Sequence, residues 1–206
     1  MYNEIVVGPQ TVGDTTRTVA RGGRTGEQMV SELQAAYYEM AYRQKLFNAY
    51  ATVTAPVIYS TAAGTGGPLL WNGSSSVNAV ILAVGYSVSV VTTVAGSIGL
   101  TGNTGQVAAP GSTTAIDAGP RNNFLGGVAP LCTTYRIGTP TNAGNFFIPL
   151  ADMHTGALTV DNAGVTWVDL KGCLIVPPQA WISLAGSATL TTLQIQASLI
   201  WSEVPV

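Results

Sequence analysis

The sequence predicts a mainly β protein: a jelly-roll-like antiparallel β-sandwich preceded by an extended N-terminal arm and one long α-helix. Three observations predict it. Short apolar runs recur after about residue 51, separated by Gly, Pro and Asn clusters. The final run alternates, with Leu193, Ile195, Ala197, Leu199 and Trp201 on one face and Thr192, Gln194, Gln196, Ser198 and Ser202 on the other. Charged residues make up only 9% of the 206 residues, while hydrophobic ones make up 47%. An average soluble domain carries about 25% charge.

Residues 1–24 read as an extended arm, because Gly8-Pro9, Gly13 and Gly22-Gly23 interrupt any regular element. Arg17, Arg21 and Arg24 give its second half a positive character and are the candidate contacts to an acidic neighbouring subunit. Residues 25–51 read as an amphipathic helix. Thr25 and Gln28 form a capping box at its start. Met29, Leu33, Tyr37, Met40, Phe47 and Tyr50 form its stripe, and Glu39 and Arg43 make an i,i+4 pair. A Met- and Tyr-rich stripe serves either a core or an adaptable interface, so Tyr37, Met40 and Phe47 are candidate partner contacts.

Residues 52–206 form the sandwich. The predicted strands are Val57–Thr61, Val77–Val84, Tyr86–Ala95, Cys132–Ile137, Phe146–Leu150, Leu158–Val160, Val165–Leu170, Cys173–Val176, Ala180–Leu184 and Thr191–Glu203. Asp161-Asn162-Ala163-Gly164 is a hairpin turn, and Pro177-Pro178 turns the chain before Trp181. Gly64–Ser76 and Leu100–Gly127 read as long loops. Val77–Leu100 is apolar enough to satisfy a hydropathy window for a spanning helix. It carries no flanking charge, and its Tyr86–Val90 portion alternates with period two, so it is expected in strands rather than in a membrane.

Charge is unevenly placed. Ten of the eighteen charged residues lie between Glu4 and Lys45, and none between Leu46 and Ile116. A lone soluble domain covers itself with charge, so a surface this neutral suits packing against other subunits. Gln194 and Gln196, on the polar side of the last strand, are candidate interface residues. The formal net charge of −2 gives no case for nucleic acid. No basic segment followed by an apolar stretch marks the N-terminus as a leader.

Chemistry is scarce. His154 is the only histidine; Asp152 precedes it by two residues, but no G-x-S-x-G elbow supplies a nucleophile. One histidine is too few for a cupin-type or His-rich metal centre. Gly99, Gly102 and Gly105 lack the lysine and helix of a phosphate loop, and Gly22–Gly26 reads as a flexible approach to the helix. Asp117, Asp152, Asp161 and Asp169 are scattered rather than paired. Asn72-Gly73-Ser74 fits a glycosylation sequon. Cys132 and Cys173 have no zinc spacing and read as small buried hydrophobes, with a disulfide left open. No enzymatic activity, cofactor or metal is expected.

The C-terminal stretch CLIVPPQAWISLAGSATLTTLQIQASLIWSEVPV, Cys173–Val206, resembles jelly-roll structural proteins of tailed phages. In these a short strand meets a proline turn, then a strand, then a long final strand ending in an aromatic-acid pair, here Trp201 and Glu203. The resemblance is strongest to head-decoration, or cement, proteins. It implies a virion component on the capsid exterior, a homo-oligomer, most often a trimer, and the major capsid protein as partner. A tail, fibre or receptor-binding component and a jelly-roll capsid shell protein are the alternatives.

Overall fold

The computed structural model describes residues 37–54, 56, 58–60, 65–90, 94–115, 118–153, 164–190 and 192–206. The chain divides into two compact units, Met1–Tyr38 and Glu39–Val206. The second carries all the described strands, and the fold is mainly β. The arm over 1–24 with Arg17, Arg21 and Arg24, the helix residues 25–36, the Leu158–Val160 strand and the first three residues of the Asp161–Gly164 turn lie outside the described residues.

The helix expected to run to residue 51 is not what forms there. Helix α1 covers only Tyr38–Tyr42. It closes when Gln44 turns into the left-handed region at φ 59°. The Gln44 amide then donates to the Ala41 carbonyl at 2.9 Å and the Lys45 amide to the Met40 carbonyl at 2.8 Å. This paired closure around a left-handed residue is a common helix stop. Strand β1, Leu46–Thr54, follows at once. Phe47, Ala49 and Ala51 are buried, and Asn48, Tyr50 and Thr52 face the other way. Phe47 and Tyr50 are three apart and would share a helix face; in the strand they lie on opposite sides.

Ten further strands complete two antiparallel sheets: β2 Thr65–Asn72, β3 Val77–Val90, β4 Gly96–Asn103, β5 Gly111–Ala115, β6 Ala118–Asn122, β7 Thr133–Thr139, β8 Ile148–Met153, β9 Thr166–Val176, β10 Ala180–Gly186 and β11 Gln194–Pro205. One sheet has the order β6-β1-β11-β3-β9 and the other β5-β7-β2-β10-β4-β8. The pairing is nested: β1 pairs with β11, β2 with β10, β3 with β9 and β4 with β8. The chain therefore changes sheet at every step from β1 to β4 and again from β8 to β11. Strands β5, β6 and β7 form an insertion between β4 and β8 that widens both sheets beside β1 and β2.

Several expected boundaries move. The two strands predicted over Val77–Ala95 are one strand, β3, which passes a bulge at Leu82: Trp201 pairs with Ile81 and Ile200 with Ala83. The apolar Val77–Leu100 stretch is thus β3 and the start of β4. No helix among the described residues is long and apolar enough to cross a membrane. The two strands predicted around Lys171 are also one, β9, interrupted by Lys171 and Gly172, both with positive φ. Of the expected Val57–Thr61 strand, Ile58 makes a single parallel bridge to Gly186. Strands β2, β5 and β6 lie where loops were expected.

The core fills the space between the sheets. Leu193, Ile195, Ala197, Leu199 and Trp201 are all buried, as the alternation predicts. Phe47 stacks on Trp201, with centroids 5.9 Å apart. Asn72, fully buried, ties the sheets together at one end. Its amide donates to the Val77 carbonyl at 2.8 Å and the Val176 carbonyl at 2.9 Å.

Candidate functional site

Two surfaces could meet a partner: the outer face of the five-stranded sheet, and a loop at one end of the sandwich. Gln194, Gln196, Ser198 and Ile200 of β11 lie across from Thr52, Tyr50 and Asn48 of β1, and across from Ser87, Gly85 and Ala83 of β3. No residue of these three strands on this face is charged. Gln196 is exposed and Gln194 half-buried. At its β9 edge the indole of Trp167 lies over Gly85, so closely that a Cβ there would come within 2.6 Å of it. Trp167, Ile175 and Cys173 of the same strand are exposed.

The loop runs from Asn122 to Cys132, and its shape follows from three side chains. Asn122 donates its amide to the Gln44 carbonyl at 2.9 Å and the Val128 carbonyl at 3.1 Å, and accepts the Phe124 amide at 2.8 Å. Gln44 accepts the Val128 amide on Oε1 at 3.0 Å. Glu203, itself buried, accepts the Leu131 and Cys132 amides, each at 2.9 Å. Gly127 packs against Asn122, where a Cβ would sit 2.7 Å from Cγ. Gly126 turns the tip at φ 83°. The loop so fixed holds Phe124, Leu125, Val128 and Leu131 in solvent, Leu125 with 94% of its surface exposed.

Cys132 lies beneath this loop. Burial first, then the charge of Glu203 and the hydrogen bond to it, push its thiol far above the ordinary thiol range. A thiol so held is an inert core group rather than a nucleophile. Cys132 is buried as expected, whereas Cys173 is exposed, and both are free.

The other sequence candidates separate. Met40 in α1 and Tyr37 just before it are half-buried. Phe47 is a correction: it is in the core against Trp201, so it offers nothing to a partner. His154, Asp117 and Asp161 lie outside the described residues. Asp152 accepts the Ser97 hydroxyl at 2.6 Å and Asp169 accepts the Lys171 amide at 2.9 Å, on different sheets. Among the described residues no group of three His, Cys, Asp or Glu side chains could hold a metal ion. The sequon at Asn72 is closed to a glycan in the folded chain, because its side-chain nitrogen is buried and donates twice. A cleft of about 250 Å³ opens between Phe146, Leu174, Val176 and Ile182, and none of its lining residues is titratable.

Sequence reasoning missed the clamped loop. Its fasteners are distant in the chain, and Gln44 and Asn122 carry no signal of their own. The sequence-visible clue is FLGGVAPL itself, four large apolar residues in a Gly- and Pro-containing stretch. No protein-family model, no curated protein and no solved structure matches this chain.

Proposed function

We propose that this chain is a non-enzymatic structural subunit of a phage virion, a jelly-roll cement protein on the capsid exterior that binds the major capsid protein. The nested pairing supports the jelly-roll reading. Eight strands paired first with last, second with next-to-last, and so inward, make one long hairpin rolled into two sheets. Such a fold serves many functions, so the function rests on the surface instead. The observation that carries it is the outer face of β1, β11 and β3. It presents amide, hydroxyl and small side chains without a charge, which favours close packing against a neighbouring subunit. A homotrimer is the assembly this reading adopts, since closed symmetric association buries such a face efficiently. In the same reading Arg17, Arg21 and Arg24 hold the arm to carboxylates of the shell by charge-assisted bonds.

Cryo-electron microscopy of the intact particle tests the proposal. The expected result is density for the β domain on the outer capsid surface, clustered around symmetry axes. Density confined to the tail would replace cement with a tail role, and absence from the particle would end the virion reading. Deleting residues 1–24 should leave the β domain folded while attachment falls and becomes less dependent on salt.

A further inference from the structure

We propose that the 124–131 loop is a preformed plug that seats in an apolar recess, rimmed by carboxylates, on a neighbouring subunit of the particle. The inference rests on the virion reading above and names the contact that would serve it. Four large apolar side chains, Phe124, Leu125, Val128 and Leu131, stand in solvent on one short loop. Exposed apolar groups that cluster this way mark interaction sites. Six hydrogen bonds from Asn122, Gln44 and Glu203 hold the loop in one shape. The Gln44 backbone adopts a left-handed φ that a non-glycine residue rarely takes.

Rigidity selects the kind of partner. A bilayer accepts apolar side chains in any arrangement and gives no reason to fix them. A recess of defined shape does, because a flexible loop loses freedom on docking, and hydrogen bonds that already fix the loop main chain have met much of that cost. Charge selects the rim. Arg121 and Lys45 are exposed immediately beside the two clamp residues Asn122 and Gln44. Among the described residues, the carboxylate that reaches the loop, Glu203, is buried and engaged by main-chain amides. The loop therefore offers an apolar tip with a cationic base, and its complement is an apolar hollow with acidic edges.

The test uses particles made from a genome lacking this chain's gene, and the purified full chain added back. A Phe124→Ser/Leu125→Ser variant should fold with an unchanged circular dichroism spectrum and attach at least about tenfold more weakly. An Arg121→Ala/Lys45→Ala variant should attach several-fold more weakly and respond less to salt. If the double serine variant fails to fold, Leu125→Ser alone carries the measurement. Equal attachment of wild type and serine variant overturns the plug while leaving the virion reading intact. Failure of the wild type to attach overturns that reading and the plug with it. Two other results would also overturn the plug. One is a smaller oligomer with undiminished attachment, which makes the loop a self-interface. The other is wild-type binding to phosphatidylserine–phosphatidylcholine vesicles that the serine variant loses, which makes the loop a lipid wedge.

Discussion

Glu203 joins the end of the chain to a loop through main-chain amides rather than through a cation. Its two oxygens take the Leu131 and Cys132 amides, and the Trp201 indole lies 3.4 Å from one of them. Glu203→Gln keeps the volume but turns an acceptor into a donor that faces an amide. It should destabilise the fold by about 1–3 kcal/mol, measured by urea denaturation. Cys132 has a pH consequence. Its folded pKa is raised above the ordinary value of 9.0, so the unfolded chain ionises first as pH climbs. The unfolded state then binds fewer protons, and stability present below pH 9 declines above it. Cys132→Ala should flatten that decline in alkaline melting curves. Iodoacetamide at pH 8 should label only Cys173 in the folded protein.

Among the elements, β1 separates the two readings of residues 46–51 by energy. On an exposed helix face Phe47→Ala would change stability by under about 0.5 kcal/mol. In the strand, stacked on Trp201, the same change should cost roughly 3–5 kcal/mol. Chemical denaturation of the purified variant decides between them. Legibility in the sequence followed burial. β11 was plain because Leu193 to Trp201 alternates between an apolar and a mainly polar face, and β10 was plain because six of its seven residues are apolar or glycine and all are buried. β1 was obscured because Leu46, Phe47, Tyr50 and Val53 also fit helical spacing when Met40 and Tyr37 precede them. β2 and β6 carry Pro68 and Pro120 and several glycines, residues that propensity places outside strands. Only their neighbours, β7 and β10 for β2 and β1 for β6, make them strands. Of the site, the neutral face was legible from the run without charge. The clamp was not, since hydrogen bonds such as Asn122 to Gln44 and Leu131 to Glu203 leave no local pattern.

For the whole molecule, the neutral face and the cationic base of the loop imply different partners, and solution measurements separate them. Light scattering should give a mass well above the 21.2 kDa of one chain, with a trimer expected, and salt should change that mass little because the central strands β1, β11 and β3 carry no charge on the face, Arg121 and Asp169 standing only at its margins. A monomer at micromolar concentration would contradict the oligomer. The position of β11 bears on how the chain reaches this state. It is the last strand in sequence yet lies inside its sheet, between β1 and β3. During synthesis β1 leaves the ribosome early and must wait for Ser202 and Trp201, the partners of Leu46 and Phe47, while every intervening strand emerges. No early hairpin can seal that sheet, because its central seam closes only with the final strand. Pairings this distant make folding slow, on the order of milliseconds to seconds, and leave apolar strand faces open meanwhile. A ribosome stalled before Gln194 would therefore hold a chain with its β1 and β3 edges bare, a strong substrate for chaperones and for mispairing between copies.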